Sequence, residues 1–177
     1  LYTDLHSELN KQIALRNAGA AISSSLNLRE VLSEICKQMA TTIDATSAYI
    51  VQYKPDQSAY TVVADYVGSN ANDLERVSDL NVTYYRKDGV RFFDKTNQES
   101  FFILQTDSDD LAPWFRNNLI SFGGKSVLEI PLYVQGNLLG HAELWESRHR
   151  REFTPDEISF CRAVSQQAAI AIANASL

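Results

Sequence analysis

Hydrophobic and polar positions along this chain change period several times, and each change marks an element. Between residues 4 and 25, Leu5, Leu9, Ile13, Ala21 and Ile22 recur at helical spacing among charged and amide residues, which predicts an amphipathic helix. Gly19 and the run Ser23-Ser24-Ser25 predict that it bends or stops near there. Asn27, with Glu30 three residues on, has the form of a capping box, and Val31, Leu32, Ile35, Met39 and Ile43 give a second helix its buried face. Residues 47–53 (SAYIVQY) and 60–67 (YTVVADYV) flank the turn residues Pro55-Asp56-Gln57-Ser58 and predict a strand pair.

Residues 68–124 carry weaker signals. Residues 69–79 are polar with slight helical character, Lys87-Asp88-Gly89 predicts a turn, and SFFILQ (100–105) predicts a strand. Residues 110–120 predict a helix with Trp114 and Leu119 inward.

The stretch 126–175 is the most legible. Residues 127–134 and 138–145 have strand length and are separated by Gln135-Gly136-Asn137, which is hairpin chemistry. Thr154, Pro155 and Glu157 then supply an N-cap, a first helical residue and the partner of a capping box. On the long helix that follows, Ile158, Cys161, Ser165, Ala168, Ile172 and Ala175 step by threes and fours, and Val164, Ala169, Ile170 and Ala171 widen the apolar surface.

Strand parity divides the hairpin into two faces. Leu128, Ile130 and Leu132 pair with Leu144, Ala142 and Gly140 on an apolar face. That pairing requires a three-residue loop at Gln135–Asn137, because a two-residue Gly136-Asn137 turn would mismatch the faces. The opposite face then carries Val127, Glu129, Pro131 and Tyr133 with His141, Glu143 and Trp145. An imidazole, two carboxylates and an indole on one sheet face fit a pocket, or equally a sheet face open to water.

The hairpin ending in Gly140, the RREFTPDE segment and the QQAAIAIANA close resemble the C-terminal half of a GAF domain. The helix, helix, strand-pair order extends that resemblance upstream to about Leu28. It implies an α+β fold, with a GAF-like central antiparallel sheet, the N- and C-terminal helices packed on one face and a variable loop and helix region over the other. It divides the chain into a linker or signalling helix at residues 1–26 and a sensor domain at residues 27–177. It also implies a sensory or regulatory module of a bacterial signal-transduction protein, such as a sensor histidine kinase or response regulator. Such a module is not itself an enzyme; it binds a small molecule or transmits a signal through its terminal helices. The same resemblance points Tyr49, Val51, Glu129, His141, Glu143 and Trp145 into the ligand pocket and makes a homodimer through the terminal helices the expected assembly. The rival expectation is a purely structural homodimerisation module with no bound ligand.

Composition narrows the classes further. The 177 residues suffice for one domain with a proper core. A net charge of −6 disfavours a nucleic-acid partner, which needs a basic field. The one basic cluster, Arg148-His149-Arg150-Arg151, is flanked by Glu146 and Glu152 and predicts a solvated loop. No run approaches the roughly 18 apolar residues of a membrane span. Cys36 and Cys161 are too few for a secreted disulfide framework. The chain opens on Leu-Tyr-Thr-Asp without a methionine or a signal peptide, so it is expected to be a piece of a longer, cytoplasmic protein.

Specific chemistries follow from the letters. Relatives that bind a bilin covalently use a cysteine after the middle strands; residues 111–124 contain none, and Trp145 stands where a pocket histidine is usual. No covalent bilin, and no cofactor, is therefore expected. No Asn-Lys pair lies suitably upstream of Phe153 and Asp156-Glu157, as cyclic-nucleotide-binding relatives have it, and Cys36 and Cys161, both within predicted helices, are not the clustered pocket cysteines of the methionine sulfoxide reductases. Gly123-Gly124-Lys125-Ser126 leads into a strand, unlike a phosphate loop. Asp107, Asp109 and Asp110 lack the glycine and the terminal glutamate of a calcium loop. His141 and Glu143 offer two metal ligands and their spacing shows no third, so no metal is expected. Two carboxylates on one partly buried face, with only His141 to compensate them, favour a neutral or cationic ligand.

Overall fold

The computed structural model describes residues 2–24 and 27–176. Four α-helices and six strands form in the order α1 (Tyr2–Ser24), α2 (Leu28–Thr42), β1 (Ser47–Tyr53), β2 (Ala59–Val67), β3 (Thr83–Tyr85), β4 (Phe102–Gln105), α3 (Pro113–Ser121), β5 (Ser126–Val134), β6 (Asn137–Glu146) and α4 (Pro155–Ala175). The strands make one antiparallel sheet in the order β3-β2-β1-β6-β5-β4. The first and last long strands of the domain, β1 and β6, therefore pair at its centre. Among the described residues, no helix is long and apolar enough to cross a membrane.

Local chemistry sets most of these boundaries. The Asn27 side chain accepts the backbone N–H groups of Arg29 and Glu30 and starts α2. Thr154 and Glu157 form the reciprocal capping box that starts α4, with Pro155 in the first turn. Each cap satisfies donors that a helix start otherwise leaves open, worth about 1 kcal/mol apiece. Pro131 is tolerated within β5 because β4 pairs only with Ser126–Glu129; beyond that point the outer edge of β5 has no strand beside it.

The hairpin keeps the expected facing by a different route. Its turn has two residues, Gln135 and Gly136, with φ of 50° and 78°, and Val134 pairs with Asn137. A bulge on β6 inserts Leu139, since Tyr133 pairs with Leu138 while Leu132 pairs with Gly140. One extra residue flips parity once, so the bulge restores the facing that a three-residue loop would give. Gly140 sits where β1 and β6 approach closely: a Cβ built there would lie 1.9 Å from the Val51 carbonyl oxygen.

Two cores lie on opposite sides of the sheet. Beneath the helices, Leu32, Ile35 and Met39 of α2 and Cys161, Val164, Ala168 and Ile172 of α4 pack on Ile50, Leu128, Ile130, Ala142 and Leu144. On the other side, residues 80–122 cover Tyr49, Val51, Tyr53, Tyr60, Val62 and Trp145.

Several expectations are corrected. The α1 helix continues through Gly19 to Ser24, and its Leu5, Leu9 and Ile13 stripe is solvent-exposed, whereas Ala14 is buried. The expected contributions of Ala21, Ile22 and Ser25 lie outside the described side chains. Residues 69–79 form turns rather than a helix. There the Asn72 side chain caps Glu75 N–H, and the Arg76 guanidinium binds the carbonyls of Gly68, Ser69 and Ala71, so side chains take the bonds that a helix would use. In α3 the deeply buried side chains are Phe115 and Leu119, while Trp114 is only partly covered.

The basic cluster is a loop with Arg148, His149 and Arg150 exposed, as expected, but two of its arginines are also held by ion pairs. Arg148 and Arg151 close on Glu146, which has no exposed surface, at 2.9 and 3.4 Å. Arg148 also reaches Asp44, and Arg151 reaches Glu157 at 2.7 Å and the Ile43 carbonyl. The end of β6 is thereby tied to the end of α2 and the start of α4.

Candidate functional site

Register builds the site row by row. On the face opposite the helices, Glu143 of β6 lies between Glu129 of β5 and Tyr49 of β1. His141 lies between Pro131 and Val51, and Trp145 lies between Val127 and Ser47. All six residues singled out from the sequence thus share one face. Tyr53, two positions beyond Val51 on β1, joins them; the same parity could have identified it.

His141, 1% exposed, is the hub. Its Nε2 lies 2.8 Å from Glu143 Oε2 and 3.3 Å from Glu129 Oε2. Its Nδ1 lies 2.8 Å from the Tyr53 hydroxyl, which also accepts the Phe93 backbone N–H at 3.4 Å. The Trp145 indole N–H donates to Glu143 Oε1 at 2.9 Å. Burial by itself opposes a charge on His141, but the adjoining Tyr53 oxygen and the Glu129 and Glu143 carboxylates outweigh it and hold the imidazole well above its ordinary value. Burial pushes the Tyr53 hydroxyl up, so it stays a neutral phenol.

The premise that one carboxylate lacks an internal cation is corrected. Arg91, from the loop before β4, lies 3.6 Å from Glu129 Oε1, and its guanidinium sits over the Phe102 ring at 3.7 Å. His141 and Arg91 together balance Glu129 and Glu143. No sequence signal marks Arg91, because residues 89–99 carry neither period nor cap.

The other half of the face is a narrow cleft. Tyr49, Val51, Tyr60, Tyr84, Glu143 and Trp145 of the sheet line one side of it, and Asp79, Asn118 and Phe122 of the cover line the other. Glu129 and His141 do not line this cleft; they lie beneath Arg91 and Phe93 beside it. Its inner space of about 20 Å³ admits about one water molecule. Gly124 leaves room for the Trp145 ring, which a Cβ there would meet at 2.6 Å. Asp79 shares the cleft with Glu143 and accepts the Tyr84 hydroxyl at 2.8 Å. Burial raises its carboxyl to about 6, the Tyr84 hydrogen bond opposes that rise, and the charge of Glu143 adds to it.

Spacing on β6 offers His141 and Glu143 as two metal ligands, and strand pairing adds a third in Glu129. One ligating atom from each lies within 4.8 Å of the others. Cys36 and Cys161 are both buried in the core under the helices, away from this face, and burial pushes both thiols up. They are inert there.

Comparison with solved structures places this architecture. The phycoerythrobilin-bound GAF domain of a cyanobacterial phytochrome is similar with a TM-score of 0.76 and 19% identity, over 94% of this chain and 96% of that one. A phycocyanobilin-bound GAF domain from a cyanobacterial phytochrome gives 0.75 and 21%, over 93% and 94%. The chromophore-binding domain of Stigmatella aurantiaca bacteriophytochrome gives 0.73 and 14%, over 93% of this chain and 60% of that one. These identities speak for the fold alone. They nevertheless overturn the expectation of no cofactor and no covalent bilin, since structures so like this one are bilin-bound. No curated protein matches the sequence. The family description "GAF domain" matches residues 25–173, nearly the whole length, with the helices on one side of the sheet and the covered polar face on the other. The chain belongs to the GAF domain family.

Proposed function

We propose that this domain is the sensory module of a larger, cytoplasmic signal-transduction protein, with the helix before residue 27 as its linker. It binds a small, partly apolar molecule that is neutral or cationic in the cleft between β1, β6 and the cover. The observation that carries this reading is that Asp79 and Glu143 line one cleft together with the rings of Tyr49, Tyr84, Phe122 and Trp145, close enough for the charge of Glu143 to raise the Asp79 carboxyl. Two carboxyl groups across a low-dielectric gap repel, and a ligand with an amine or several donors relieves that repulsion while its apolar part stacks on the rings. The cleft's inner space holds only about one water, so a ligand enters by displacing the cover that carries Asn118 and Phe122. The sheet joins the site to the helices through Glu146, Arg148 and Arg151, and this is the route by which a moved cover is felt at α2 and α4.

The test is titration calorimetry with a panel of aromatic amines, biliverdin, cyclic AMP and cyclic GMP. Biliverdin is included because bilins occupy the GAF domains that resemble this one. The expected result is micromolar binding of a cationic or neutral aromatic compound, weakened at least tenfold by Asp79→Asn or Glu143→Gln. Micromolar binding of a cyclic nucleotide that Trp145→Ala abolishes would refute it.

A second reading, a structural homodimerisation module, is favoured by one observation. Leu5, Leu9 and Ile13 leave an exposed apolar stripe on α1, and Ile170 is exposed on α4. A second copy of the chain is the occupant with matching chemistry.

A further inference from the structure

Beside the organic cleft, and sharing Glu143 with it, lies a second constellation. From the structure we infer that Glu129, His141 and Glu143 form a binding site for one divalent transition-metal ion of the zinc class. The inference goes beyond the sensory reading and stands whether or not the cleft takes an organic ligand.

Three ligating atoms converge: Nε2 of His141, Oε2 of Glu129 and Oε2 of Glu143. They come from adjacent central strands, which hold a constellation more rigidly than loops do. Zinc bonds to imidazole nitrogen and carboxylate oxygen are about 2.0–2.2 Å long, so tetrahedral neighbours stand about 3.3 Å apart. His141 Nε2 is 3.3 Å from Glu129 Oε2 and 2.8 Å from Glu143 Oε2. Of the three pairs, one already has the required spacing, a second opens by about half an ångström, and the two carboxylate oxygens lie within 4.8 Å of each other.

The atoms turned away from the centre are held as well. Here every ligand has a second partner on the atom turned away from the centre. His141 Nδ1 meets the Tyr53 hydroxyl, Glu143 Oε1 accepts the Trp145 indole N–H, and Glu129 Oε1 lies against Arg91. Such outer partners fix the ring and carboxylate orientations that a metal needs. With Nδ1 engaged by Tyr53, an incoming ion displaces the Nε2 proton that otherwise lies toward Glu143 and takes that nitrogen's lone pair. With three protein ligands, a water completes the coordination of a zinc-class ion. One nitrogen and two carboxylates suit zinc, cobalt or manganese better than calcium, which takes six to eight oxygens.

The experiment uses the 177-residue chain after chelator treatment. Zn²⁺ is titrated calorimetrically and Co²⁺ is followed by its visible absorption. The expected result is one ion per chain with micromolar or tighter affinity, and a Co²⁺ spectrum of four- or five-coordinate intensity. His141→Gln should weaken binding at least 100-fold, and Glu129→Gln, which keeps the volume, should do nearly as much. Tyr53→Phe removes only an outer partner and should cost about tenfold. His149→Ala, on the exposed loop, should leave the affinity within threefold. Absence of saturable binding to the wild-type chain would overturn the proposal. So would wild-type-like affinity in all the soluble variants of His141, Glu129 and Tyr53, or loss of binding with His149→Ala.

Discussion

Replacing Glu146 by Gln tests whether the sheet is mechanically tied to the helices. The carboxylate has no exposed surface and receives the Arg148 backbone N–H at 2.8 Å, Arg148 Nε at 3.0 Å and Nη2 at 2.9 Å, with Arg151 at 3.4 Å. Gln keeps the volume and one acceptor, but loses the charge and turns an N–H₂ group toward two guanidinium groups. Breaking a buried pair typically costs about 3–5 kcal/mol, and the retained acceptor places this variant near the lower end. With a urea slope of about 2 kcal/mol/M, a loss of about 3 kcal/mol moves the unfolding midpoint down by about 1.5 M. The pH dependence supplies a second check. Burial pushes the Glu146 carboxyl up, but the Arg148 hydrogen bonds and charge outweigh it and hold the group below its usual range. A depressed carboxyl contributes stability that is present above the unfolded value and lost as pH falls through the folded one. The gap between wild type and Glu146→Gln should therefore be full at pH 7 and close on acidification below the ordinary glutamate range. A midpoint shift under about 0.25 M, or a gap that does not change with pH, would refute the clamp.

Two further outcomes follow from packing. Gly140→Ala forces a Cβ to within 1.9 Å of the Val51 carbonyl, so β1 and β6 must part; a loss of at least about 3 kcal/mol is expected in urea unfolding monitored by circular dichroism, and near-native stability would show that the strands approach less closely. For the α1 stripe, sedimentation equilibrium of the wild-type chain should give a dimer that Leu9→Glu shifts to monomer by at least tenfold in dissociation constant. A wild-type monomer at high micromolar concentration, or a dimer indifferent to Leu9→Glu, would remove α1 from the interface.

Those parts of the molecule that depend on near neighbours in sequence were legible in it. Asn27 and Thr154 start helices because a cap needs only residues two or three positions on. The β1 boundaries and the shared face of Tyr49, Val51, Glu129, His141, Glu143 and Trp145 follow from a two-residue period. Even the hairpin parity survived an unforeseen bulge, since burying Leu128, Ile130 and Leu132 beside the helices fixes the register more strongly than the turn does. Tertiary structure alone decided which charges meet. Arg91 reaches Glu129 across 38 positions of sequence, Tyr53 reaches His141 across 88, and Arg148 and Arg151 close on a buried Glu146. Nor does any period announce that residues 80–122 fold down over the polar face and leave space for about one water. Caps and periods arise from the backbone geometry of a few consecutive residues. Ion pairs and cavities arise from distances between segments, and the chain sets those only once both cores have packed.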